Sequence, residues 1–164
     1  MNEDEVSVGD NIFLFDISEL DDKYLSSDTL RDIRSVAELY SINLERVVGR
    51  APVKPAEFSV LVRRVELFLQ VHPKAILCFY CDFLNEIPSI RKTRSAITVQ
   101  EYRSRLFTAL FDRYRRHHNC CPYIQSVITV EGEENYYIHI IALSNLSFVI
   151  EKISKDLQDA YGKD

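Results

Sequence analysis

The residues whose types and spacing could do chemistry are few, and two of them stand out: a carboxylate ending an apolar run, and an arginine on a helix. Ala75-Ile-Leu-Cys-Phe-Tyr-Cys-Asp82 is apolar until it stops at Asp82. Bounded by Pro73, this run predicts a strand buried on both faces, with Asp82 at its end. Over 98–118 the apolar residues recur at helical spacing, and an ideal wheel places Arg103 between Leu110 and Tyr114, inside the apolar arc. An unpaired buried charge is expensive, so Arg103 must reach water or find a carboxylate. Asp82 is the expected partner, because Asp112 points to the other side of the helix. The pair reads first as a structural ion pair fixing helix to sheet. Its second reading is a ligand site at the carboxyl end of a strand. In an enzyme, Asp82 would serve as base or metal ligand and Arg103 or Arg105 as anion clamp. That is the chemistry of a small hydrolase or a phosphoryl-handling protein.

Arg91, Lys92, Arg94 and Arg105 form a second constellation, an exposed basic cluster suited to an anion. Binders of single-stranded nucleic acid interleave such charges with free aromatic rings. Here Tyr102, Phe107 and Phe111 fall in or near the helix's apolar face, which leaves only weak, salt-dependent phosphate contacts over 91–105. Nucleic acid is therefore not the expected partner, and the cluster reads mainly as a solvated face.

Cys78-Phe-Tyr-Cys81 has the spacing of a metal knuckle, and His117-His118-Asn119-Cys120-Cys121 lies further on. A knuckle needs a tight turn, whereas within a strand i and i+3 point to opposite faces. The cysteines read instead as small buried hydrophobes of a reducing compartment, with no metal and no cofactor expected. The glycines Gly9, Gly49, Gly132 and Gly162 are too scattered for a phosphate-cradling or dinucleotide-binding loop. No H-E-x-x-H, G-x-S-x-G or EF-hand pattern occurs.

The elements that must position these residues follow from periodicity. Asn11-Ile-Phe-Leu-Phe-Asp-Ile17 predicts a first strand, while 18–34 is polar and reads as irregular, with one helical turn at most. Over 35–48, Leu39–Leu44 fit a strand, but Ile33, Val36, Ala37, Tyr40, Leu44, Val47 and Val48 fit a helical stripe, and periodicity alone leans slightly to helix. Pro55 opens a helix over 56–72, with Phe58, Leu61, Val62, Val65, Phe68, Leu69 and His72 on one face. Val60, Leu67 and Val71 make a second apolar strip nearly opposite, a candidate interface for a protein partner or a second copy of the chain. Thr98-Val-Gln-Glu101 offers a capping box for the 98–118 helix. Strands over 123–130 and 135–143 flank the turn Glu131-Gly-Glu-Glu134, and a last helix over 145–161 stops at Gly162.

The chain has 164 residues, 46% of them hydrophobic, and a net charge of −5. That is the make-up of an ordinary globular protein able to build one core without staples. No apolar run approaches a membrane span, and the first residues, Met-Asn-Glu-Asp-Glu, lack the pattern of a secretion signal, so the expected setting is the cytoplasm.

Taken in order, these landmarks resemble a known family. They are the strand, the proline-containing connector, the amphipathic helix, the apolar strand ending Cys81-Asp82, and the helix with Gln100-x-x-Arg103-x-Arg105-Leu106-Phe107. The acidic hairpin, the Tyr136-Tyr137 strand and the final helix complete the order. The family is one of small uncharacterised proteins, a domain of unknown function common in Bacteroidetes. The resemblance spans roughly 39–157. It implies a bacterial source and a strand at 39–44, and it carries no activity. The loop over 83–97 is longer than the family's, and the tryptophan usual near Leu110 is missing.

The expectation is a single α+β domain over 1–164, with 1–10 disordered or loosely attached. Its mixed or antiparallel sheet has four or five strands, and helices 56–72, 98–118 and 145–161 pack mainly on one face. Its expected function is that of a non-enzymatic interaction module.

Overall fold

The apolar run at 75–81 forms the middle of a mixed sheet, and both faces of 75–79 are buried. In the computed structural model, the residues described are 4–20, 23, 25–49, 53–81, 98–118, 120–131 and 135–161. The elements run β1 (Asp4–Val8), β2 (Asn11–Glu19), α1 (Ser27–Arg34), β3 (Glu38–Val48), α2 (Ser59–Val71), β4 (Ala75–Cys81), α3 (Val99–His117), β5 (Tyr123–Val130), β6 (Tyr136–Leu143) and α4 (Ser147–Tyr161). Short 3-10 turns at Pro55–Phe58 and Ser144–Leu146 lead into α2 and α4. The strands lie in the order β1-β2-β3-β4-β6-β5. β3 and β4 are parallel, joined by the crossover through α2, and every other pairing is antiparallel.

Among the described residues there are six strands, against the four or five expected, and four α-helices divided between two faces. Ala75, Leu77 and Phe79 of β4 meet Leu61 and Leu69 of α2 and Leu106 and Leu110 of α3. Ile76 and Cys78 face the other way, into a core with Ile33 of α1 and Val149, Ile150 and Ile153 of α4. The expectation that the helix over 145–161 shares a face with the other two is thus corrected. The physical reason lies in β4 and β6. Strands apolar on both faces need a layer on each side, and Ile138, Ile140 and Ala142 of β6 would otherwise be bare.

Residues 4–10, expected to be disordered or loosely attached, belong to the sheet. β1 pairs with β2 through a two-residue turn in which Gly9 has φ 58°, the left-handed region that glycine enters without strain. Val6 and Val8 alternate into the core. The polar stretch over 18–34, expected to be irregular, holds the end of β2 and the two-turn α1. Ser26 caps α1, its Oγ accepting from the Thr29 N–H at 3.2 Å. Asp156 of α4 accepts the Ser26 N–H at 2.8 Å, and Lys152 of α4 pairs with Asp32.

Residues 38–48 are strand. Ile42 and Leu44 are buried while Asn43 and Glu45, which follow each of them, are exposed, the alternation of a half-covered strand. The competing helical stripe counted Val47 and Val48, which are both exposed. At α3 the Thr98 oxygen accepts the Glu101 N–H at 3.2 Å, as a cap should. The Glu101 carboxylate takes Arg105 at 2.7 Å. The expected capping box is therefore half of one.

Candidate functional site

The wheel places Arg103 inside the apolar arc, and the structure buries it. Arg103 is 2% exposed, and its guanidinium lies 5.3 Å from the centre of the Phe79 ring on β4. Asp82, its expected partner, lies outside the described residues, as do Arg91, Lys92 and Arg94 of the basic cluster. Arg105 is exposed and already holds Glu101, an i,i+4 pair along the helix. Val60, Leu67 and Val71 are 38%, 44% and 74% exposed, on the outer side of α2 where the wheel places them. His72 stacks on Phe68 with ring centres 4.3 Å apart, a packed residue at the edge of the core. Cys78 is fully buried, and burial pushes its thiol up to about 12, out of range for nucleophilic chemistry at neutral pH. Among the described residues no group of three metal-ligating side chains converges, and no helix is long and apolar enough to cross a membrane.

The feature that periodicity does not reveal is a cavity. α2 and α3 lie on the same face of the sheet, and Glu66 of α2 comes within 3.8 Å of His118 at the end of α3. Between them and the strands is an apolar space of about 90 Å³. Phenylalanine rings dominate its wall, among them Phe15 of β2, Phe79 of β4 and Phe107 of α3. Half-buried Val62 and Val65 of α2 and Phe111 of α3 also line it. No lysine or arginine is among the described lining residues.

Into this wall the fold sets a few polar side chains. β6 points Tyr137, His139 and Ile141 to the cavity face and Ile138, Ile140 and Ala142 to the other. His139 is 1% exposed, and its Nε2 lies 2.8 Å from Ser104 Oγ on α3. Its Nδ1 is buried and has no hydrogen-bond partner among the described residues. Burial pushes the imidazole down to about 4, so it is neutral at physiological pH. Gln125 of β5 is its diagonal neighbour, since Val127 pairs with His139 and Gln125 with Ile141. The Gln125 Oε1 is likewise buried and without a partner among the described residues.

Glu66 and Tyr114, which also line the cavity, are engaged. Glu66 of α2 accepts from Arg63 at 3.0 Å and from Gln70 at 3.4 Å, with His118 at 3.8 Å. Tyr114 stacks on His118 at 3.9 Å, and burial, with the Glu66 charge, pushes its phenol up to about 12. The sequence reading missed His139, Gln125 and Glu66. His139 had a signal: it is the one polar residue in the run Ile138-His-Ile-Ile-Ala142, at an inward position of an alternating strand. Gln125 and Glu66 had none, because their role comes from elements far apart in the chain.

No family model, no curated protein and no solved structure matches this chain. The chemistry of the site therefore has to be read from its own geometry.

Proposed function

We propose that this protein is a non-enzymatic binding module, and that a small, largely apolar molecule is what it binds. The observation that carries this reading is the space between α2, α3 and the sheet. Protein interiors pack as densely as organic crystals, and an unfilled volume is costly. At ~24 cal/mol per Å³, a void of about 90 Å³ represents about 2 kcal/mol that an occupant would recover. A concave apolar wall with a few placed polar groups is the usual form of a small-molecule site.

Catalysis has less to rest on. The Ser104–His139 contact resembles a nucleophile with its base, yet Ser104 is not among the cavity's lining residues. No carboxylate among the described residues orients the imidazole through Nδ1. The alternative enzyme built on Asp82 needs an anion clamp, and Arg103 is buried against Phe79 while Arg105 already holds Glu101. That pairing also weakens a phosphate-binding role for Arg105 in the 91–105 cluster. Cysteines left as free thiols, Cys78, Cys120 and Cys121, fit a cytoplasmic setting.

Toluene tests the main reading. Saturating toluene should raise the melting temperature of the wild type, since a ligand at 100 times its Kd adds about 2.7 kcal/mol. In Val65→Phe, whose added ring occupies the cavity, the shift should vanish while the protein stays folded. Absence of any shift in the wild type would sink the proposal.

A second reading rests on a separate observation, the exposed strip of Val60, Leu67 and Val71 on α2. Contiguous apolar surface of this kind suits a protein partner, and a second copy of this chain is the occupant we favour.

A further inference from the structure

Taking the cavity as a binding site, we infer that its occupant is a single-ring molecule carrying one uncharged hydroxyl, held between His139 Nδ1 and Gln125 Oε1. The inference rests on the reading above and adds the chemical class of the ligand. Its starting point is a pair of buried polar atoms, on neighbouring strands and the same face of the sheet, without partners among the described residues. Buried polar atoms in native proteins are nearly always satisfied, and leaving one unmade is costly. Two at one cavity wall mark a place where something polar belongs.

The donors and acceptors then select the group. Gln125 Oε1 can only accept. His139 is uncharged at neutral pH, so one ring nitrogen carries the proton and the other does not. In the tautomer where the Ser104 hydroxyl donates to Nε2, the imidazole of this lining residue carries its proton on Nδ1. A ligand between the two sites must accept from Nδ1–H and donate to Oε1, which a single hydroxyl does. The chain then runs in one direction: Ser104 O–H to Nε2, Nδ1–H to the ligand oxygen, ligand O–H to Gln125.

Other classes fail at identifiable points. A hydrocarbon leaves both atoms unmade. A carboxylate can accept from Nδ1–H but has no proton for Gln125. It would also enter a wall that includes Glu66 and, among the described residues, no cation. An ammonium would lose its water to a site whose one carboxylate among the described residues, Glu66, is already held by Arg63. The volume sets the size. Apolar cavities of ~150 Å³ take benzene, and this one, at about 90 Å³, is bordered by the half-buried Val62, Val65 and Phe111, which leave it incompletely closed. One ring is the upper limit, and a phenol is the simplest member of the class.

Calorimetric titration with phenol, toluene, benzoate and benzylamine tests this on the wild type and on Gln125→Leu. Phenol should bind the wild type at least about tenfold more tightly than toluene, the yield of two net hydrogen bonds. In Gln125→Leu the preference should shrink, with toluene binding retained. The His139 Nδ1 nitrogen resonance is followed in the wild type as well, a readout independent of how the variant folds. It should move with phenol and stay put with toluene. Equal affinities for phenol and toluene, or an unmoved Nδ1 resonance, would overturn the hydroxyl assignment while leaving apolar binding intact. Tightest binding of benzoate or benzylamine would overturn the neutral class. Failure of both phenol and toluene would remove the binding site itself.

Discussion

A histidine set in an apolar strand turns burial into pH dependence. Desolvation holds the His139 imidazole at about 4, below the 6.5 of an exposed histidine. As pH falls, the unfolded chain takes up this proton before the folded one does. The stability due to neutral His139 is therefore complete above pH 6.5 and drains away between there and pH 4. At 1.36 kcal/mol per pH unit, the loss across that window is about 3 kcal/mol. Asp32 and Asp156, whose carboxyls are held low by Lys152 and by Ser26 and Thr29, lose their contributions only below about pH 4. Urea unfolding at intervals from pH 7 to pH 4.5 should show the decline in the wild type. His139→Phe, which has nothing to protonate, should flatten it. An equal slope in both proteins would assign the acid sensitivity elsewhere.

At the scale of elements, α3 shows how far a local motif reaches. Thr98 caps the helix, but Glu101 turns forward to Arg105 instead of back to the cap. Thr98→Ala should cost about 1 kcal/mol, as loss of an N-cap does. Glu101→Gln should cost no more than about 0.5 kcal/mol, the worth of an exposed i,i+4 pair. Equal losses would mean that the full box forms in solution. The legible elements were those whose period had one explanation. β4 announced itself by an unbroken apolar run, and the β5–β6 hairpin by two β-rich runs around a glycine. β3 did not, because Val36, Ala37, Tyr40 and Leu44 satisfy a helical stripe by coincidence. β1 was readable but unread: Val6-Ser-Val8 followed by Gly9-Asp10 is a short alternating strand entering a two-residue turn. The side of the sheet taken by α4 was not in its own periodicity at all. It follows from β4 and β6 needing cover on both faces.

At the scale of the whole molecule, the cavity was invisible in the sequence because no segment contains it. Its wall joins Phe15, Val65, Phe79, Phe107 and His139, each from a different element, and each reads locally as ordinary core. The outer strip of α2 was legible, because one helical wheel holds all of it. If that strip joins two copies of the chain, sedimentation at tens of micromolar should show a dimer for the wild type and a folded monomer for Leu67→Glu. A wild type that runs as a monomer would end the dimer proposal.

The same sedimentation run bears on the two ends of the sheet. Among the described residues the order of strands leaves β1 and β5 as its edges, each with backbone groups open on one side. They are unequally guarded. β1 begins Asp4-Glu5, whereas β5 reads Tyr123-Ile-Gln-Ser-Val-Ile-Thr-Val130 and carries no charge along its length. Val127, 41% exposed, stands in the middle of that neutral edge. Val127→Lys would place a charge there and should leave a dimer built on α2 untouched. Should it be this substitution that abolishes association, the chains would be joining by strand addition. The sheet would then be a ribbon with a capped end and an uncapped one, extending in one direction only.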